Sequence, residues 1–197
     1  MSYNTEPVAG NAFNDLLTEL HSHVFLGVPG ESDPFQLSEL ERECIAFALA
    51  VYYECDHCME YHEKMLVRQL PKDDQWDWRH EIIRIVLFMR AQSHTISKVE
   101  YDEVWMPDWR RYADSVNNRH AGLACYIALS IGIARRDKQL MKLAGKSIGL
   151  IHTDYDTYRG VLRDIDRVTI FMKAATSKNR TDSILMDLLQ SHPNRKE

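Results

Sequence analysis

Apolar residues recur at intervals of three and four positions along most of the chain, which is the repeat of a helix that buries one face. The first such series is Phe13, Leu16, Leu17, Leu20 and Val24. No Asn-Gly or Asp-Gly pair separates two alternating apolar runs, so nothing here favours a β-hairpin. The pattern therefore predicts an all-α fold.

The same periodicity, together with its start and stop signals, predicts about seven to nine helices in one domain that spans residues 1–197. Residues 95–118 carry no clear periodicity, and the tail at residues 191–197 is expected to fray. The expected helices cover residues 11–26, 38–53, 55–70, 76–93, 121–134, 139–151, 155–175 and 182–190.

The second of these helices is expected to form the centre of the core. Ser38 and Glu41 have the spacing of a capping box, in which each side chain hydrogen-bonds the backbone of the other residue at a helix start. The run from Cys44 to Tyr53 that follows is apolar nearly all round. A helix that is apolar on every side is a buried helix.

Charge and composition exclude several classes of protein. The net charge of -5 leaves no basic surplus for binding nucleic acid. The longest apolar run has ten residues, whereas a membrane-spanning helix needs about 17 to 25. The polar N-terminus lacks the layout of a secretory signal, and four cysteines do not make a dense disulfide framework. We therefore predict a cytoplasmic protein that binds neither nucleic acid nor membrane.

Two cysteines and a histidine are close together at the start of the third expected helix. Cys58 follows Cys55 by three residues and precedes His62 by four, so the three side chains share one helix face. Helical residues three apart have Cα atoms within the range that a disulfide tolerates. The positive end of the helix favours a thiolate, and the imidazole can hold the proton that the thiol loses. The spacing predicts a reversible dithiol–disulfide pair with its own base.

Glu43 is a candidate third part of this site. Its helical neighbours are Leu40, Ala46 and Phe47, so its carboxylate begins the apolar face of the second helix. A buried acid needs a partner. If the second and third helices pack together, His62 is the natural partner, because a carboxylate orients an imidazole that in turn serves a thiol.

These residues resemble the signature E-x11-C-x-H-C-x3-H of the alkylhydroperoxidase D-like (AhpD-like) proteins of the carboxymuconolactone decarboxylase superfamily. The spacing agrees at all five positions, which are Glu43, Cys55, His57, Cys58 and His62. The resemblance covers about residues 35–95, the half of the chain that bears the motif. The helical C-terminal half, about residues 119–190, does not align with the family.

The resemblance implies an AhpD-like helical fold, with the Cys-x-x-Cys pair at the start of a core helix, and a homo-oligomer that is a trimer or a hexamer. It implies a thiol-dependent peroxidase or disulfide oxidoreductase without haem, flavin or any other bound cofactor. Cys58 resembles the thiol that attacks the hydroperoxide substrate, and Cys55 the more exposed resolving thiol. Glu43 and His62 resemble the proton relay, with His57 at its edge. A lipoamide-type external dithiol is the implied reductant.

The functional prediction is a thiol-dependent alkylhydroperoxide reductase that acts in antioxidant defence. One alternative is a thiol–disulfide oxidoreductase that never acts on peroxide. Another is a helical binding module stabilised by zinc, with Cys55, Cys58 and His62 as three of four ligands. A second pair of ligands is missing, because Cys44 and Cys125 lie within apolar helical runs and are expected to be small buried side chains.

Three other histidines are less informative. His57 faces away from the stripe of Cys55 and Cys58 on a regular helix, so a surface or helix-cap role stands beside the catalytic role that the resemblance implies. His21 and His23 are two positions apart and cannot share a helix face. We expect these two to be ordinary surface or core residues.

A weak internal similarity connects the two halves. Phe47-Ala48-Leu49 matches Ile127-Ala128-Leu129, and each triplet belongs to an apolar helix that leads through a polar break into another helix. A degenerate duplication is one interpretation and chance is the other. In this register the residues opposite Cys55, Cys58 and His62 are Arg135, Lys138 and Lys142, so the chemistry is expected in the N-terminal half alone.

Overall fold

The structure, a computed structural model, describes residues 18–27, 35–71, 75–91 and 122–190. Within these residues there are seven α-helices and no strand, which confirms the all-α prediction. The helices are α1 (residues 18–25), α2 (Glu39–Tyr53), α3 (Asp56–Gln69), α4 (Gln75–Ala91), α5 (Leu123–Arg135), α6 (Lys138–Ile151) and α7 (Tyr155–Gln190). Residues 11–17 of the first expected helix, the segment 95–118 and the tail 191–197 lie outside the described residues.

Helix α2 begins at the capping box that the sequence predicts. The backbone N–H of Glu41 donates to Ser38 Oγ at 3.2 Å, and the backbone N–H of Ser38 donates to Glu41 Oε2 at 2.8 Å. Each bond satisfies a donor that has no partner within the helix, so the start of α2 is fixed by its own sequence.

Helix α2 lies at the centre of the core. Every residue from Arg42 to Ala50 is buried, and the helix contacts α3, α4, α5 and α7. The contacts on so many sides explain why its sequence is apolar nearly all round. Any polar side chain within this stretch is therefore enclosed by protein, which places Glu43 and Arg42 in the interior.

Two helical hairpins, α2–α3 and α5–α6, contain the same turn. Glu54 and Arg136 have left-handed backbone conformations, with φ of 58° and 59°. The next residue donates its N–H to a carbonyl five positions back, Cys55 to Ala50 and Asp137 to Gly132, as in a Schellman motif. That next residue is also the N-cap of the following helix.

This turn geometry corrects the register of the internal similarity. Glu54 corresponds to Arg136, which puts Asp137 opposite Cys55, whereas the apolar triplets put Arg135 there. Two buried apolar helices match at more than one register, so the triplet alone does not fix the correspondence. In the observed register, Cys58 and His62 correspond to Leu140 and Ala144, both buried apolar residues.

Helix α7 is longer than the sequence predicts. Separate helices at residues 155–175 and 182–190 are expected from the apolar pattern, and this prediction is wrong, because α7 continues without interruption from Tyr155 to Gln190. Neither Gly nor Pro occurs between residues 175 and 190, so no residue in this stretch breaks the backbone hydrogen bonds. A helix whose apolar stripe becomes weaker buries less surface, but the helix itself does not end there.

Two buried charges hold the segment before α2 against the core. The guanidinium of Arg42 donates to the carbonyl of Phe25, at 2.7 Å, and to the carbonyl of Leu37. The carboxylate of Asp164 in α7 accepts the backbone N–H groups of Gln36, at 2.6 Å, and Leu37, at 3.0 Å. These bonds fix the end of α1 beside α2 and α7, and they bring a residue of α1 to the site described next.

Candidate dithiol site

The two cysteines of the motif lie at the turn between α2 and α3. Cys55 is the N-cap of α3, and the backbone N–H of Cys58 donates to its Sγ atom at 3.4 Å. The two sulfur atoms form a disulfide, with the Cα atoms 5.3 Å apart. The spacing of three residues at a helix start therefore brings the sulfurs together, as predicted from the sequence.

Both sulfur-bearing residues are nearly buried. The exposed fraction is 8% for Cys55 and 7% for Cys58. The resemblance implies that Cys55 is the more exposed thiol, and no such difference is present. Exposure therefore does not distinguish the attacking thiol from the resolving thiol, and that assignment depends on the neighbours of each sulfur.

The carboxylate of Glu43 and the imidazole of His62 form a buried pair. Nδ1 of His62 lies 2.8 Å from Oε2 of Glu43, and the exposed fractions of the two residues are 3% and 0%. Because the carboxylate accepts the proton on Nδ1, Nε2 is the nitrogen that can take up or release a proton. His62 is one helical turn beyond Cys58, so this base belongs to the same face as the thiol.

The second oxygen of Glu43 has an unusual environment. Oε1 is buried and accepts no hydrogen bond from any residue that the structure describes. A buried carboxylate oxygen without a donor costs free energy, and such atoms are rare in folded proteins. Oε1 of Glu43 is therefore available to accept a hydrogen bond from a donor that enters the site.

His21 of α1 lies beside this pair, although its sequence position predicts an ordinary surface or core residue. Its ring centroid is 6.4 Å from that of His62, and the ring stacks on Phe25 at 4.5 Å. The hydroxyl of Tyr61 lies 3.3 Å from Nε2 of His21. A signal was available in the sequence, because His21 is four residues from the apolar Leu17 and four from Phe25 and so belongs to the apolar face of α1.

The surroundings of His21 and Tyr61 change their proton affinities. Burial lowers the pKa of His21 below 6.5, an effect that Glu43 opposes and His62 reinforces. Burial also raises the pKa of the Tyr61 hydroxyl, and the negative charge of Glu43 adds to this increase. His21 is therefore held neutral at neutral pH, while Tyr61 keeps its proton.

His57 is the one residue of the five-residue motif that lies away from the buried cluster. Its side chain is exposed and lies near the carboxyl group of Glu60 on the outer face of α3. The structure thus joins Cys55 to Cys58 and Glu43 to His62, with Cys58 and His62 one turn apart on α3, and it leaves His57 at the surface. The helix geometry explains this, since residue 57 points away from the face shared by residues 58 and 62.

Arg90 of α4 holds the turn that precedes Cys55. Its guanidinium donates to the carbonyls of Val51, at 3.2 Å, and Tyr52, at 2.6 Å, and to the carboxylate of Glu54, at 2.9 Å. Carbonyls at the end of a helix lack partners within the helix, so a cation there satisfies both hydrogen bonding and the helix dipole. Arg90 thereby couples the position of the cysteine pair to α4.

The other two cysteines are free thiols in the core. Burial raises the pKa of Cys44 well above its usual value and raises the pKa of Cys125 to about 11. A thiol with a raised pKa is almost entirely protonated at neutral pH and reacts slowly, because the thiolate is the nucleophile. The expectation that both are small buried side chains is confirmed.

A cavity of about 490 Å³ lies elsewhere in the fold, between α5, α6 and α7. None of its lining residues belongs to the dithiol site. The residues that line it include Leu129, Ile133, Met141, Lys146, Tyr158 and Leu162.

The arrangement defines an all-helical protein in which a disulfide-forming pair at a helix start lies near a buried carboxylate–imidazole pair. Among the described residues, no group of three or more His, Cys, Asp or Glu side chains is arranged to hold a metal ion. No helix in the described part of the chain is long and apolar enough to span a bilayer. Comparison with protein-family models, with curated proteins and with solved structures found no match.

Proposed function

We propose that this protein is a thiol-dependent peroxidase that reduces organic hydroperoxides through Cys58 and Cys55 and contributes to antioxidant defence. The observation that carries the proposal is the buried hydrogen bond between Glu43 and His62, one turn from a cysteine pair that forms a disulfide. A structural disulfide has no need of a buried base, whereas a thiol that ionises in each cycle does.

The proposed reaction has two steps within the protein. The Cys58 thiolate attacks the O–O bond of the hydroperoxide, a sulfur–oxygen bond forms, and an alcohol leaves as Cys58 becomes a sulfenic acid. The Cys55 thiol then attacks this sulfur, which forms the disulfide and releases water. The hydroperoxide has gained two electrons, and the two thiols have supplied them.

His62 accepts a proton and then donates it in this scheme. It takes the proton of the Cys58 thiol on Nε2, and the carboxylate of Glu43 stabilises the resulting imidazolium through Nδ1. The imidazolium then gives this proton to the alkoxide that leaves. Burial of the pair strengthens the attraction between the two charges, because little water is present to screen it.

An external dithiol closes the cycle. A reductant of the lipoamide type attacks the Cys55–Cys58 disulfide, returns both cysteines to thiols and is itself oxidised to a disulfide. Membership of the AhpD-like family, assembly as a trimer or hexamer and a location in the cytoplasm are parts of the same proposal. They are supported by the spacing of Glu43, Cys55, His57, Cys58 and His62. No bound cofactor takes part in this scheme.

Free-thiol counting with two matched variants tests the assignment. After one equivalent of hydroperoxide, the reduced wild-type protein should lose two thiols and Cys58→Ser almost none. Cys55→Ser should consume one equivalent and stop at the sulfenic acid of Cys58, which dimedone captures, because no resolving thiol remains. If Cys58→Ser consumes hydroperoxide as fast as the wild type, Cys58 is not the attacking residue.

A thiol–disulfide oxidoreductase that does not act on peroxide is a second candidate. The hydrogen bond from the Cys58 N–H to Cys55 Sγ favours it, since a helix N-terminus stabilises a thiolate at the capping position whatever the substrate. Stopped-flow mixing of the reduced protein with cumene hydroperoxide separates the two candidates. Fast oxidation supports the peroxidase, whereas oxidation by a disulfide substrate alone supports the oxidoreductase.

A further inference from the structure

We propose that His21 and Tyr61 form an outer arm of the proton relay, which connects the buried Glu43–His62 pair to the solvent on the side of α1. This inference rests on the proposed function, because a relay is needed only if His62 gains and loses a proton in each cycle. It assigns a role to two residues outside the five-residue motif and makes the exposed His57 unnecessary for proton supply.

The ring positions carry this inference. His62 is almost fully buried, so the proton that Cys58 and His62 regain when the disulfide is reduced must arrive through the protein. His21 lies on one side of it, with the ring centroids 6.4 Å apart, and the proposed path uses one bridging water between the two imidazoles. The hydroxyl of Tyr61 is 3.3 Å from Nε2 of His21, and Tyr61 is 41% exposed.

Packing holds the outer arm in this position. The ring of His21 stacks on Phe25 at 4.5 Å and meets the edge of Phe171 at 5.7 Å. Phe25 is itself buried, and its carbonyl accepts a hydrogen bond from Arg42. The end of α1 is therefore attached to α2 and α7, and the orientation of His21 does not depend on an isolated surface helix.

The charges around His21 suit a group that passes a proton on. Glu43 of α2 and His62 and Tyr61 of α3 face it, while α7 contributes the uncharged ring of Phe171. Burial lowers the pKa of His21, Glu43 opposes this effect, and the nearby imidazole of His62 reinforces it, so the neutral form of His21 is favoured. A neutral His21 can accept a proton on one nitrogen and release one from the other.

The proton balance of the cycle defines what this arm does. The proton that His62 gives to the departing alkoxide comes from the Cys58 thiol, so Cys58 and His62 together lack one proton once the disulfide has formed. The external dithiol attacks the disulfide as a thiolate that has lost its proton to water, and Cys58 then leaves as a thiolate. A proton from water must therefore reach His62 to complete the cycle. In the proposed path, Tyr61 donates its hydroxyl proton to His21 and takes another from water, while His21 releases a proton towards Nε2 of His62. No bond other than those to hydrogen changes, and no electron is transferred in this step.

Chemical rescue tests the arm directly. His21→Ala should slow turnover about tenfold, below the usual effect of a residue that acts on the substrate itself. Added imidazole should restore much of this rate, because it can occupy the space of the missing ring. His21→Phe should be equally slow but show no rescue, since its ring fills that space. Tyr61→Phe should be intermediate, and His23→Ala, at an exposed position of the same helix, should behave as wild type.

The pH dependence of thiol alkylation provides a measurement that does not require peroxidase activity. Iodoacetamide should react with the reduced wild-type protein along a profile that has an inflection below pH 6.5, from the titration of His21. This inflection should be absent from His21→Phe and present in His23→Ala. Identical profiles in all three proteins, or failure of imidazole to rescue His21→Ala, would overturn the inference. If the wild type consumes no hydroperoxide, the proposed function fails, and the alkylation profiles still decide the position of His21 in the network.

Discussion

Glu43 shows how strongly one residue can depend on its surroundings. Its carboxylate is fully buried, with one oxygen on His62 and the other without a donor among the described residues. Removing the partner of a buried charge costs about 3 to 5 kcal/mol, so the two side chains are kept together by the cost of separating them. A carboxylate placed in this way lowers the stability of the fold, and the proposed role of Glu43 in proton transfer accounts for its presence.

Replacement of Glu43 by Gln is expected to slow the reaction of Cys58 with hydroperoxide by about 10²-fold, within the range of general acid–base effects. The amide oxygen can still accept from His62, but it carries no charge to stabilise the imidazolium. Stopped-flow measurement of thiol oxidation gives the rate, and circular dichroism verifies that the fold is retained. Glu60→Gln, at an exposed position of α3, is the matched control and should react at the wild-type rate. Equal rates for both variants would contradict the role given to Glu43.

His21 makes the free energy of unfolding depend on pH. Its folded pKa is lower than 6.5, so the unfolded chain binds more protons between these two values, and stability rises with pH there. The contribution is fully present above 6.5 and is lost as the pH falls through the folded pKa. Urea unfolding at about pH 5 and about pH 8 should show a smaller stability advantage of the wild type over His21→Phe at the lower pH. A difference that is constant with pH would contradict the lowered pKa.

At the scale of helices, the α2–α3 turn is held by its own residues and also by a side chain from another helix. The Schellman motif and the N-cap at Cys55 are set by residues within the turn. The carbonyl of Tyr52 instead accepts from Arg90 of α4. Arg90 also donates to the carbonyl of Val51, which accepts the backbone N–H of Glu54 within the turn as well. The position of the cysteine pair therefore depends on a helix that is remote in sequence.

Arg90→Gln is expected to reduce the free energy of unfolding by about 1 to 2 kcal/mol, less than fully buried charged hydrogen bonds would lose, because the Arg90 side chain is about a third exposed. For a chain of this size the change corresponds to a fall in Tm of about 2 to 8 °C. Arg84→Gln, at an exposed position of the same helix, should leave Tm nearly unchanged. Equal effects of the two substitutions, measured by calorimetry, would show that Arg90 does not hold the turn.

At the scale of the whole molecule, the fold sorts four cysteines into two groups. Cys55 and Cys58 lie at a helix start on the rim of the core, whereas Cys44 and Cys125 lie within α2 and α5. Cys44 is fully buried, so access to its thiol requires the core to open, whereas the reaction of Cys125 is slowed by its raised pKa.

Thiol labelling of the reduced protein should therefore occur in two phases. Cys55 and Cys58 should react with iodoacetamide quickly. Cys44 should react at a rate limited by opening of the core, and Cys125 should also react slowly, because burial keeps both of these thiols protonated. Mass spectrometry of peptides at increasing times identifies the residues. Added urea should accelerate the slow phase far more than the fast one, and fast labelling of Cys44 in native protein would contradict this arrangement.

The sequence alone determined the features that depend on neighbours within one or two helical turns. The capping box at Ser38, the disulfide spacing of Cys55 and Cys58 and the shared face of Cys58 and His62 all follow from the helical repeat. The burial of Glu43 follows in the same way, because its apolar neighbours on α2 identify the inner face of that helix.

Only the tertiary structure decided which helix faces meet. The placement of His21 beside His62, the capping of α2 by Arg90 and the anchoring of residues 36 and 37 by Asp164 join segments far apart in the chain. A periodic pattern shows that a face is buried, but apolar packing is not directional and does not specify the partner. The sequence therefore predicted the cysteine pair and the imidazole on the same helix face, while their surroundings depended on how the helices pack.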